Sequence, residues 1–188
     1  MWLSLVERTV RDGEVVGSNP VIPTMQDYRS NLRFFFTLEE LMISLQPINE
    51  SNFLQAFALE VTENQKQFVS NPIRSLAQAY VYRNQCQPFG IYNDKTMVGY
   101  VMVIYDYDIP EYDIWHMQMD RNYQNRGYGK QALQCVLDYI SSKPFGSSDK
   151  VTLTCHKDNH TAYHLYASMG FVPTGNMDED EIEMSMNV

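Results

Sequence analysis

Gln124-Asn125-Arg126-Gly127-Tyr128-Gly129-Lys130 is the stretch whose reading decides the fold. Its two glycines, one residue apart, leave successive backbone N–H groups uncovered by side chains. Just beyond them, Ala132, Leu133, Val136, Leu137 and Ile140 recur at the spacing of one helical face. Just before them, Ile114 to Met119 reads as a strand. Free N–H groups and the positive end of a helix therefore converge on one spot, which suits a phosphate or pyrophosphate. Two familiar phosphate loops do not fit. A dinucleotide fingerprint needs a third glycine where Ala132 stands, within an early βαβ unit that is missing. A Walker loop needs Ser or Thr where Gln131 stands and glycine where Gln124 stands.

The pattern that fits is Q/R-x-x-G-x-G/A, met by Gln124, Gly127 and Gly129. A second pattern follows in Asn159-His160-Thr161-Ala162-Tyr163-His164-Leu165-Tyr166-Ala167-Ser168-Met169-Gly170-Phe171. There Asn159 reads as a helix cap, Ala162, Leu165, Tyr166 and Met169 share a face, and Gly170 ends the helix. Together, in this order, the two motifs resemble the acetyl-CoA motifs of the GNAT family of N-acetyltransferases, over residues 42–188. The resemblance implies an α/β (α+β) fold with a central, mostly antiparallel mixed sheet of about seven strands and helices on both faces. It also implies acetyl-CoA as cosubstrate, and Glu63-Asn64-Gln65-Lys66-Gln67-Phe68, in the first helical region, resembles the bacterial spermine/spermidine (diamine) acetyltransferase branch.

Composition sets the wider bounds. The formal charge of −9 argues against a nucleic-acid surface and favours a cationic small substrate, although acidity that only serves solubility explains it equally well. Cys86, Cys135 and Cys155 form no framework spacing, which suits reduced thiols in a cytoplasmic protein. No apolar run reaches the length of a membrane span, and no cleavable signal is visible.

Along the chain, Ile43 to Pro47 alternates like a strand. Asn49 or Ser51 is placed to cap a helix with Phe53, Leu54, Phe57, Ala58 and Val61 on one side. Asn71-Pro72 starts another, expected to turn Ile73, Leu76, Ala77 and Tyr80 inward. Pro88–Tyr92 and Thr96–Tyr105 read as a hairpin, Asp113–Asp120 as the next strand, and Val151–Cys155 as another. Phe171–Thr174 and Glu181–Met186 close the chain as a second hairpin. Met184 and Met186 alternate there, and an open strand at this place makes a homodimer a natural expectation. Residues 1–41 stand outside this plan. Gly17-Ser18-Asn19-Pro20 back-translates to a sequence like a transfer-RNA arm, and Glu39-Glu40 to one like a ribosome-binding site. Residues 1–41 are thus expected to be a mis-annotated extension before a start at Met42, the competing reading being a genuine N-terminal arm.

Amide formation sets the chemical demands: the amine must lose a proton, the oxyanion needs an N–H donor, and the departing thiolate needs an acid. The resemblance assigns the acid to Tyr166, a phenol of suitable pKa; the bland alternative is a packed tyrosine bonding the cosubstrate. It further implies pyrophosphate contacts from Gln124, Asn125, Arg126, Gly127, Tyr128, Gly129 and Lys130. Met117, Gln118 and Met119 are expected to pair with the pantetheine amides, with the Met117 N–H at the thioester oxygen, and Asn159 to cap its helix or touch the cosubstrate. Polyamine-acetylating relatives carry a carboxylate nine residues before the first motif position; here that position is Trp115. His116 titrates in the useful range but is expected to face away from Trp115 by strand alternation. A water chain ending on Asp106, Asp108, Glu111 or Asp113 is the other contender for the base.

Those same four carboxylates, interleaved with Tyr107, Ile109 and Tyr112, are the expected binding site for a polyamine or diamine. Aminoglycosides and protein or peptide amines are the other acceptor classes. No metal is expected: Cys155, His156, His160 and His164 include no second cysteine to complete a site. Two function classes remain, an acetyl-CoA-dependent amine acetyltransferase and a non-catalytic regulator binding CoA or polyamine.

Overall fold

Seven strands build one sheet: β1 (Ile43–Pro47), β2 (Cys86–Asn93), β3 (Thr96–Asp106), β4 (Glu111–Met119), β5 (Lys150–His156), β6 (Val172–Asp178) and β7 (Glu181–Asn187). Their order across it is β1-β2-β3-β4-β5-β7-β6. The helices are α1 (Phe53–Phe57), α2 (Pro72–Val81), α3 (Tyr128–Ser141) and α4 (His160–Ser168), with a short 3-10 turn at Glu63–Gln65. The computed structural model describes residues 43–188, so the expected extension lies outside the described residues.

Every neighbouring pair is antiparallel except β4 and β5. That parallel pair consists of Tyr112 opposite Val151 and Asp113 opposite Thr152, and nothing more. Beyond Asp113 the two strands diverge, and β5 continues against β7 alone. The sheet thus forks in the middle.

The main core lies on one face, where Leu133, Val136, Leu137 and Ile140 of α3 meet Val101, Val103, Tyr112 and Leu153. All of these α3 residues are buried, as the helical spacing requires. Asp94, with φ 54, and Lys95 form the two-residue turn of the β2–β3 hairpin.

The opposite face carries α1 and α2 over Tyr92, Tyr100 and Met102. Here the structure corrects the expected orientations. α2 turns Pro72, Ser75 and Ala79 to the sheet, while Ile73 and Tyr80 are 53% and 74% exposed. Bulky Tyr100 and Met102 already fill much of the interface, so the helix presents small residues with Leu76 packed beside them, as expected, while Ile73, Ala77 and Tyr80 point outward. α1 ends at Phe57, burying Ala56, while Leu59 and Val61 are buried in the segment that follows; Leu54 and Phe57 face outward. Its cap position is Asn52, neither Asn49 nor Ser51. A third correction concerns the C-terminal strands. β7 is inserted between β5 and β6, with Met184 fully buried, so β6 forms the open edge, and no free Met184–Met186 strand offers an interface.

Cys86 and Cys155 are buried and Cys135 half-buried, all as free thiols. No described helix is long and apolar enough to cross a membrane.

Candidate active site

The site grows from the fork. Since β5 departs after Asp113, the β4 backbone from Ile114 to Met119 has no strand beside it there. Edge N–H and C=O groups of this kind seek partners. α4 forms the far wall and supplies Tyr166.

β4 carries a bulge at the fork. Met102 pairs with His116 but Val103 with Ile114, leaving Trp115 as the extra residue. A bulge turns two successive side chains to one side. Accordingly the Trp115 and His116 rings stack, with centroids 5.2 Å apart. This corrects the alternation argument that set them on opposite faces.

The loop after β4 is tied down before it reaches the glycines. Asp120 is buried; its Oδ2 accepts the Glu60 N–H at 2.9 Å, and its Oδ1 accepts the Asn122 N–H at 2.9 Å. The Gln124 amide donates to the Met119 carbonyl at 3.0 Å and exchanges hydrogen bonds with the Gln65 amide. Gln124 therefore latches the loop to β4 and to the 3-10 turn.

Gly127 follows in the left-handed region, φ +79, where a residue with a Cβ is strained. It is the cap residue of α3, yet no side chain caps that helix and no acidic residue stands in its first turn. By contrast, Asn71 caps α2 by accepting from Ile73, and Asn159 caps α4 by accepting from Ala162. The first-turn N–H groups of α3 are left open together with the helix dipole. These residues fit a pyrophosphate.

Two cavities meet in the fork. The first, of about 180 Å³, is mostly apolar; Met117, Gln118 and Met119 line it from β4, and Gln124, Asn125, Tyr128 and Gly129 from the loop and α3. Arg126, Gly127 and Lys130 do not line it; the Arg126 guanidinium lies over the Tyr123 ring, 5.4 Å from its centroid, and donates to the Asn122 carbonyl. The second, of about 230 Å³, is mostly polar and holds Trp115, His116, His156 and Glu181. Asn159 and Tyr166 line both. The polar cavity is roofed where the Phe68 ring meets His156, centroids 4.9 Å apart.

Electrostatics distinguish the candidates. Burial, followed by the neighbouring Cys155, Asp113 and Glu181 charges, pushes the Tyr166 phenol above its ordinary value, so it stays protonated and able to donate. Among the described residues, no protein group is hydrogen-bonded to its hydroxyl. Burial and then the Arg74 charge lower His116 to about 4, and its Nδ1 is buried with no partner. His116 is thus a neutral acceptor at pH 7.

The structure separates the four acidic candidates of the β3–β4 region, and none lines either cavity. Asp106 accepts the Asp108 and Ile109 N–H groups of its own turn, and Asp108 is exposed. Glu111 pairs with Lys150 at 2.5 Å. Asp113 sits at the closed end of the fork with Oδ1 buried and unpaired; burial and then Glu111, Glu183 and Asp106 lift it to about 7. Glu181, a carboxylate that does line the polar cavity, was not singled out from the sequence. It belongs to neither motif, and only the insertion of β7 beside β5 brings it opposite His156. Among the described residues, no group of three or more His, Cys, Asp or Glu is arranged to hold a metal ion.

A family model described as the acetyltransferase (GNAT) family matches residues 52–171, more than half the chain. The fold is similar to that of a spermidine N-acetyltransferase from Vibrio cholerae solved with CoA and spermine. TM-score is 0.65 and identity 19%, covering 77% of this chain and 95% of that one. It also resembles the PaiA N-acetyltransferase of Thermoplasma acidophilum in complex with coenzyme A (0.61, 12%, covering 79% and 100%). A third neighbour is the ribosomal-protein-S18-alanine N-acetyltransferase of Escherichia coli (0.58, 20%, covering 78% and 94%). No curated protein sequence matches the chain.

Proposed function

The chain belongs to the acetyltransferase (GNAT) family and is an N-acetyltransferase, and from that premise we propose that it moves an acetyl group from acetyl-CoA to a polyamine or diamine. The observation that carries this reading is the pair of cavities, one apolar and one polar, that meet at Tyr166. The apolar one suits a thioester-bearing arm, and the polar one suits an amine. The likeness to a structure holding CoA and spermine supports the same choice.

In this reading the open N–H groups from Gly127 to Lys130 hold the pyrophosphate, and the unpaired β4 edge holds the pantetheine amides. The thioester supplies the activated acyl group. A backbone N–H of β4, assigned to Met117, points at its oxygen. His116, neutral and stacked on Trp115, accepts a hydrogen bond from the attacking amine and orients its lone pair. With a value of about 4 it is too weak a base to keep the proton, which passes through water to a carboxylate. Asp113, at about 7, is the best matched of the nominated acids. Tyr166 gives its proton to the departing thiolate.

The test uses the full chain with acetyl-CoA and, in turn, spermidine, spermine, putrescine, an aminoglycoside and a peptide amine, following CoA thiol release. Thiol release with spermidine, spermine or putrescine is expected. Tyr166→Phe is expected to reduce it by about 10²–10³-fold, within the range for a lost general acid. The fold should survive, because no described protein group loses a hydrogen bond with that hydroxyl. Preference for the aminoglycoside or the peptide would overturn the substrate class. Binding of CoA without turnover of any amine would overturn catalysis in favour of a binding protein.

A further inference from the structure

The polar cavity contains an unbalanced charge. Glu181 is the one carboxylate on its lining, and no Lys or Arg lines it. The cations nearby are engaged elsewhere. Lys157, two residues beyond Cys155, pairs with Asp180 at 2.5 Å, and Lys150 pairs with Glu111. His156, directly opposite Glu181 in the β5–β7 register, accepts the Asp158 N–H at its Nδ1. Its Nε2 lies 4.0 Å from Asp180. Among the described residues, the Glu181 side chain has no ion-pair partner and no hydrogen-bond donor.

The position is built by the fold. A turn at Glu179, φ 51, and Asp180 reverses the chain and starts β7 at Glu181. Ile182 and Met184 then turn toward the main core, so Glu181 and Glu183 project to the other face. Asp180, next in sequence, keeps its own lysine and leaves Glu181 to the cavity. Burial raises Glu181 above the ordinary carboxylate value; His156 offsets part of this, and the Asp180 charge adds the smallest contribution upward. An anion held in this way gains from a cation that enters with the substrate.

Resting on the reading of this cavity as the acceptor site, we propose that Glu181 selects the charge of the acceptor: it binds an ammonium group other than the one being acetylated. The reacting nitrogen lies toward Tyr166 and His116, and the second nitrogen lies at Glu181. The cavity therefore favours an amine with two or more positive charges over a monoamine of equal length. Trp115 and Phe68 line the same cavity and offer aromatic faces to the methylenes between the two nitrogens.

A matched pair of acceptors tests this: putrescine and n-pentylamine, which differ chiefly in a terminal ammonium against a methyl. The full chain is expected to favour putrescine in kcat/KM by about 10–100-fold, the range for a hydrogen bond between charged groups. Glu181→Gln is expected to abolish that preference through KM, with kcat changed less than about twofold. Glu181→Asp should restore part of it. An equal preference in wild type and Glu181→Gln, or none in wild type, overturns the assignment while leaving the acetyltransferase reading intact. Should wild type acetylate neither amine, calorimetric titration with spermidine decides. Binding that Glu181→Gln weakens at least about tenfold upholds the role of Glu181, whereas no binding, or binding unaffected by the substitution, sinks it; whether the chain is catalytic is then decided by the wider amine panel.

Discussion

Alanine at Gly127 and alanine at Gly129 should fail in opposite ways, and the contrast tests the phosphate loop. A Cβ at Gly127 meets nothing within 4 Å, so no clash arises; the whole cost comes from φ +79. Holding alanine in the left-handed region costs about 1–2 kcal/mol. For a chain of this size each kcal/mol lowers Tm by roughly 2–4 °C, so a fall of about 2–8 °C is expected. If the loop instead rotates to relieve the strain, the first-turn N–H groups of α3 lose their common aim. One charge-assisted hydrogen bond lost is about 1.5–3 kcal/mol, or about 10–100-fold in CoA affinity. Gly129 is different. It lies within α3, and its Cβ would sit 3.5 Å from Leu165 Cδ2 and 3.8 Å from Met119 Cγ, an ordinary contact. Alanine there is a better helix former by up to about 1 kcal/mol, so Tm should hold or rise. Both neighbours, however, line the apolar cavity, and the added methyl takes space where the cosubstrate approaches. The expected signature is a lower Tm or, where the loop rotates, weaker CoA binding for Gly127→Ala, and weaker CoA binding at an unchanged or higher Tm for Gly129→Ala. Thermal unfolding followed by circular dichroism and calorimetric CoA titration provide the two readouts. Wild-type CoA affinity in both variants would refute the phosphate-cradle assignment, and wild-type Tm together with wild-type CoA affinity in Gly127→Ala would refute the strain argument.

Asp113 and His116 are expected to leave opposite marks on the pH dependence of stability. From about pH 4 to about pH 7 the folded chain keeps a proton on Asp113 that the unfolded chain has lost, so this group's stabilisation is present at low pH and falls as pH rises. His116 is the reverse: from about pH 4 to its ordinary 6.5 the unfolded chain holds the extra proton, and its contribution rises with pH. Relative to wild type, Asp113→Asn should therefore gain stability with rising pH, and His116→Gln should lose it, each by about 1.4 kcal/mol per pH unit at most. Urea midpoints across that range measure both differences, and a difference independent of pH would contradict the corresponding assignment. Asp120→Ala strands the Glu60 and Asn122 N–H groups and is expected to cost about 2–4 kcal/mol in urea unfolding. Amide exchange in the 120–127 loop should quicken as well; unaltered exchange there would show that Asp120 does not anchor the loop.

The sheet, the order of its elements and the glycine turn that starts α3 were legible because each has a local signature. The turn at Asn93-Asp94-Lys95 marks β2 and β3, helical spacing marks α3, and the open glycines mark the cap. Features that depend on two strands at once were not legible. The bulge at Trp115 is defined only by the register of β4 on β3, and a strand read alone turns His116 away from Trp115. Glu181 enters the cavity through the crossing of β7 between β5 and β6, which its own neighbours in sequence do not signal. The α2 orientation was missed because apolar spacing ranks Ile73 and Tyr80 above Ser75, while the large side chains of β3 leave room chiefly for the small ones. Gln124 matched its motif, but the pattern does not disclose that its amide holds the loop by bonding Met119 and Gln65.

The fork also makes the sheet mechanically unequal. Backbone pairing between its four-stranded and three-stranded parts rests on Tyr112–Val151 and Asp113–Thr152. That seam has far fewer ladder rungs than the β2–β3 or β5–β7 boundaries, so it is where the sheet parts first under thermal fluctuation. A molecule seated in the fork touches β4 on one side and α4 on the other, and thereby staples the two parts together. Ligand occupancy is then a determinant of how cooperatively the whole chain unfolds, quite apart from any reaction it undergoes.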